Sequence, residues 1–111
     1  MFTYKGHVTR VIDGGTADVS VDLGFKMYTK QRLRFARINT PEVRGEERMQ
    51  GLKVKEFVTK KIFNRPIEIK TAKTGKYGCY IAEIYYYDNT GTLINLNDEL
   101  VSKGLAVEVD Y

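Results

Sequence analysis

One cysteine, Cys79, is all that 111 residues contain, which excludes an internal disulfide and any cysteine-based zinc site and leaves the fold to packing alone. With a single histidine, His7, no partner is evident that would make Cys79 a nucleophile. Cys79 therefore reads as an ordinary strand cysteine and His7 as a surface residue. No apolar run approaches a membrane-spanning length, and Met1 to His7 lacks the apolar stretch of a signal peptide. A soluble protein is expected, with its location left open. Repeats, low-complexity tracts and linkers are also missing. At 42% hydrophobic and 29% charged residues, the chain fits one domain over residues 1–111, expected to be a monomer. Acidic residues are the minority charge: eighteen basic against fourteen acidic side chains give +4 and a pI near 9.2. That excess favours a polyanionic partner, although a basic solvated surface accounts for it equally well.

Between Tyr4 and Thr40 the pattern has period two, with Ala17, Val19, Val21 and Leu23 on one face and Asp18, Ser20 and Asp22 on the other. Three strands are predicted. The first two meet at Asp13-Gly14-Gly15, where paired glycines would supply the positive φ angles of a tight turn. The third runs from about Met27 to Ile38, with Leu33 and Phe35 on one side and Arg34 on the other. After Pro41, Val54, Phe57, Val58 and Ile62 recur at helical spacing among lysines, predicting an amphipathic helix over about Glu46 to Phe63. Pro66–Ala72 and the tyrosine-rich Cys79–Tyr87 read as two more strands, with Tyr80, Tyr85, Tyr86 and Tyr87 expected to pack on the barrel or helix. A turn at Asp88–Gly91 and a short helix capped by Asn97 and closed by Gly104 complete the chain. The order β-β-β-α-β-β-α predicts a mainly β (α+β) fold, a five-stranded OB-type barrel with two or three flanking helices.

Arg34 and Arg37 on a barrel strand, followed by Thr40-Pro41-Glu42, would bring a guanidinium and a carboxylate together at the barrel rim. Phosphodiester hydrolysis needs both: a cation to neutralise the expanding phosphorus centre, and a carboxylate to orient or deprotonate water. A surface ion pair beside a proline turn accounts for the same residues.

Arg34-Phe35-Ala36-Arg37-Ile38-Asn39-Thr40-Pro41-Glu42, preceded by Asp13-Gly14-Gly15-Thr16 and followed by Lys76-Tyr77-Gly78-Cys79 and Val101–Ala106, resembles the active-site signature of the staphylococcal nuclease (thermonuclease-like) family. The resemblance covers about His7 through Ala106. It implies a calcium-dependent nuclease acting on DNA or RNA, here single-stranded. Arg34 falls on the family's phosphate-clamping arginine, Glu42 on its proposed general base, and Thr40 on a carbonyl ligand to calcium. Lys76 and Tyr77 match residues that hold a terminal phosphate and cover a sugar or base. Tyr111 lies near further family tyrosines.

Three positions depart from the pattern. Gly15 stands where the family has a metal-binding aspartate, and Asn39 where it often has a second one. Cys79 replaces the second phosphate-clamping arginine. The resemblance thus implies weakened calcium binding, with Asp13, Asn39 and Thr40 as remaining donors, and strongly impaired hydrolysis. The alternative is a non-catalytic nucleic-acid-binding barrel.

Overall fold

A computed structural model describes residues 2–74 and 79–109. Its elements are β1 (Phe2–Asp13), β2 (Thr16–Asp22), β3 (Tyr28–Phe35), β4 (Ile38–Asn39), a 3-10 turn (Gly45–Glu47), α1 (Arg48–Ile62), β5 (Pro66–Thr74), β6 (Tyr80–Tyr87), β7 (Leu93–Asn95), α2 (Leu96–Ser102) and β8 (Val107–Glu108). Strands β3-β2-β1-β5-β6 hydrogen-bond in that order, and parallel pairing of Leu33–Phe35 with Tyr80–Ala82 joins β3 to β6 and closes a five-stranded barrel. This is the predicted mainly β, OB-type barrel, and of the two or three flanking helices expected two are α-helices.

Alternation does what period-two arithmetic requires: Ala17, Val19 and Val21 are buried while Asp18, Ser20 and Asp22 face outward. Val54, Val58 and Ile62 turn one face of α1 into the core beside Val8, Phe35 and Ile84. Among the described residues, no helix is long and apolar enough to cross a membrane.

Several local expectations are corrected. The third strand stops at Phe35 rather than Ile38, because Arg37 adopts a left-handed conformation, φ +65. Beyond that turn Ile38–Asn39 leaves the barrel and pairs with Val107–Glu108 as a separate ribbon. The α2 cap is Asn95, whose Oδ1 accepts from the Asp98 N–H at 3.0 Å, whereas Asn97 is fully buried. Leu23 is exposed in the β2–β3 turn instead of facing the core. Of the four tyrosines, Tyr86 is buried, Tyr85 sits beneath Lys70, and Tyr80 and Tyr87 are exposed. His7 is on the surface as expected, bonded to Asn64 Oδ1 at 2.8 Å.

The Gly14–Gly15 turn is the instructive case. Neither glycine takes a positive φ. Gly14 is required instead by close approach, since a β-carbon there would collide with Val54 of α1, whereas one on Gly15 would meet Arg34 Nη1, the movable end of a long side chain.

Candidate functional site

The site is assembled where the β1–β2 turn, the end of β3 and the segment after β4 converge. Asp13 Oδ1 accepts the Gly15 N–H at 2.8 Å and so shapes the turn. The Gly15 carbonyl accepts twice, from the Phe35 N–H at 2.8 Å and from Arg34 Nη1 at 2.8 Å. Arg34 also donates through Nη2 to Asn39 Oδ1 at 2.8 Å and to the Ile38 carbonyl at 3.4 Å. Its Nη1 is thereby held where a Gly15 β-carbon would stand. Thr40 closes the other side, its Oγ1 standing 3.5 Å from where a Gly15 β-carbon would be.

Asn39 links Arg34 to an open cleft of about 390 Å³, lined by Asn39, Thr40, Pro41, Glu42, Glu47 and the loop from Gly104 to Val107. Glu42 is exposed there. Its backbone is set by Gly51 of α1, since a β-carbon at Gly51 would strike the Glu42 carbonyl. Periodicity could not reveal Gly51, because an absent side chain leaves no apolar signal. Cys79 is half-buried and immediately precedes β6, whose first residue pairs with Leu33, the neighbour of Arg34. Lys76, Tyr77 and Tyr111 lie outside the described residues.

Arg37 does not join the site, contrary to its expected place beside Arg34. It donates from Nε and Nη2 to both oxygens of Glu83, at 2.8 and 2.7 Å, and further to Asp98 at 2.7 Å and Glu108 at 3.0 Å. Its carbonyl accepts the Val109 N–H at 2.8 Å. One residue thus ties β6, α2 and β8 behind the cleft. The guanidinium, with Asn95 in support, holds the Glu83 carboxyl below its ordinary range against the opposing effect of burial. A carboxyl depressed in the folded state stabilises above its unfolded pKa and loses that contribution as pH falls through the folded value. Thermal melts should show stability dropping below about pH 4.5, with a shallower drop in Glu83→Gln, which starts from a lower melting temperature at neutral pH. An unchanged acid limb in that variant would show that the pair does not carry it.

A family model for staphylococcal nuclease homologues matches residues 32–111. The chain belongs to that family. Arg34, Asn39, Thr40, Glu42 and Cys79 lie inside the matched span, and the Gly14–Gly15 turn, earlier in the chain, is brought beside Arg34 by β2–β3 pairing. The chain is also 29% identical, over 126 aligned positions, to an uncharacterized protein of Methanocaldococcus jannaschii, covering 93% of this chain and 58% of that protein. It spans little more than half the length of that relative.

Calcium suits this rim poorly. It seeks several oxygen ligands, preferably anionic. Here position 15 has no side chain, Asn39 Oδ1 receives Arg34, and Asp13 receives the turn amide. Among the described residues, no group of three or more histidine, cysteine, aspartate or glutamate side chains could hold a metal ion. A guanidinium also stands beside these donors and would repel a second cation.

Proposed function

We propose that this staphylococcal nuclease homologue binds single-stranded DNA or RNA at the rim formed by the Gly14–Gly15 turn, Arg34 and Asn39–Glu42, and hydrolyses it very weakly. The observation that carries the proposal is the seating of the Arg34 guanidinium between the Gly15 carbonyl and Asn39 Oδ1. It places a fixed, forked cation of the kind that recognises phosphate beside an open cleft. The groups that would turn recognition into hydrolysis are depleted. Glu42 remains as a base for water, but position 15 offers no carboxylate and Cys79 offers no second cation. Removing one preorganised transition-state donor typically costs about 3 kcal/mol.

Titration of a fluorescent single-stranded oligonucleotide tests this reading. Binding should be saturable, unchanged between calcium and EDTA, and weakened steadily by salt as counterions are retained on the free strand. Cleavage should be near the detection limit under both conditions. Absence of binding would end the proposal. Calcium-dependent cleavage would show that other oxygens, Asp13 first among them, replace the missing ligand.

A further inference from the structure

Arg34 is only one end of a row. On β3 the residues Tyr28, Lys30, Arg32 and Arg34 face outward, alternating with Thr29, Gln31, Leu33 and Phe35, which turn toward the core. Successive outward positions on such a strand stand about 6.8 Å apart, a spacing that suits the successive phosphates of an extended single strand. The row leads from the candidate site to the β2–β3 turn, where Phe25 is 98% exposed and Tyr28 is 64% exposed.

That turn is firmly built. Gly24, Phe25 and Lys26 are all left-handed, at φ 83, 55 and 60. The Leu23 N–H donates to the Met27 carbonyl and the Met27 N–H to the Gly24 carbonyl, both at 2.9 Å, while the Gly24 N–H donates to Asp22 Oδ1 at 2.7 Å. A bulky aromatic rarely takes a left-handed conformation. Here the strained backbone projects the ring away from the barrel, and strain held in place by surrounding bonds points to a use for the projected group.

Charge along the row is also arranged. Two carboxylates stand on the adjoining strand, Asp18 beside Arg32 and Asp22 beside Tyr28. Asp18 accepts from Arg32 Nε at 2.8 Å and Nη2 at 3.2 Å, and lies between Arg32 and Arg10 of β1. Asp22 is bonded to the turn amide and stands opposite Lys5. Asp18 thus faces two guanidiniums, Arg32 and Arg10, and Asp22 faces Lys5, so one positive charge is in excess there and, with Lys26 and Lys30, weights the face toward a polyanion.

We propose that the outer face of β3, from Arg34 to Phe25, is a track for single-stranded nucleic acid: Arg32 and Lys30 take successive phosphates, and Tyr28 and Phe25 stack on bases. It rests on the nucleic-acid reading of the rim and adds the direction in which the strand leaves it. A line of cations at strand period, continuous with a guanidinium at the rim, suits an extended polyanion. A lipid surface would use only the tip.

The test is fluorescence anisotropy of a labelled twelve-residue oligothymidylate with the unaltered chain, Phe25→Ala/Tyr28→Ala and Arg34→Ala, alongside sedimentation with phosphatidylserine vesicles. The substituted aromatic side chains are exposed, so the double variant should keep the melting temperature of the unaltered chain. It should lose about tenfold or more in affinity, the usual worth of stacked bases. If Arg34→Ala weakens binding while the folded double variant binds like the unaltered chain, the rim reading stands and the track falls. If the unaltered chain does not bind the oligonucleotide, both fall. Vesicle binding that depends on Phe25, with oligonucleotide affinity unchanged in the double variant, would assign the tip to lipid and overturn the track.

Discussion

Replacing Gly15 by aspartate and Cys79 by arginine together is expected to raise cleavage of a single-stranded oligonucleotide by at least about a hundredfold, and to make it depend on calcium. The first substitution acts twice. Its β-carbon claims the space now taken by Arg34 Nη1, the mobile end of a long side chain, so the collision is relieved by lifting the guanidinium from the Gly15 carbonyl. The new carboxylate also adds a negative oxygen beside Asn39 and Thr40, the kind of donor a hard divalent cation requires. The second substitution supplies a cation from the residue just before β6, next to the β3–β6 pairing that contains Arg34. Two forked cations can then share the charge that develops on the phosphoryl oxygens.

Two measurements separate these contributions. Gly15→Asp alone should gain a calcium-dependent rise in melting temperature that the unaltered chain lacks, because a ligand held only by the folded state stabilises it. Cleavage by the double variant should vanish in EDTA. A double variant that folds but stays inert would show that the roles given to positions 15, 34 and 79 are wrong.

Asn97→Ala should destabilise the protein by about 3 kcal/mol or more, a large share of the roughly 5–15 kcal/mol that holds a domain together. Asn97 is fully buried. Its Oδ1 accepts the Ile84 N–H at 3.1 Å, and its Nδ2 donates to the carbonyls of Ala36 at 2.8 Å and Ala82 at 3.2 Å. The amide therefore joins α2 to β6 and to the turn between Arg34 and Ile38. Alanine fills little of the space and takes the side-chain partner from the Ile84 N–H and the Ala36 carbonyl, while the Ala82 carbonyl keeps the Ala36 N–H at 2.8 Å; each buried polar group left unsatisfied costs about 1–3 kcal/mol. Urea denaturation should show the midpoint falling with little change in slope. A loss below about 1 kcal/mol would mean that water enters and takes over the amide's bonds. The Asn39–Glu42 segment follows this turn, so oligonucleotide binding by the variant should weaken even where it remains folded.

Much of this was legible in the chain itself. The alternation around Val19 and the helical spacing of Val54, Val58 and Ile62 each state which face is dry. Such a statement needs only the geometry of one strand or one helix. Arg34, Asn39 and Glu42 could be singled out only through the resemblance to the staphylococcal nuclease signature, since a surface ion pair beside a proline turn accounts for Arg34 and Glu42 equally well. Where the local signal was ambiguous, the reading erred. The expected cap, Asn97, stands two residues beyond the actual cap, Asn95, and only the positions of Ile84 and Ala36 decide which amide is buried. Arg37 and Arg34 look alike on a strand, yet the three carboxylates that claim Arg37 come from residues 46, 61 and 71 positions away.

What the sequence by itself determined is the barrel and its helices, because period is a property of neighbouring positions. Tertiary structure alone decided why Gly14 must be glycine, where β3 gives way to the β4–β8 ribbon, and how Arg34 comes to lie beside Gly15. Each of these depends on atoms distant in the chain arriving at one place. A glycine that exists to admit another residue's side chain carries no trace, in its own neighbourhood, of what it admits.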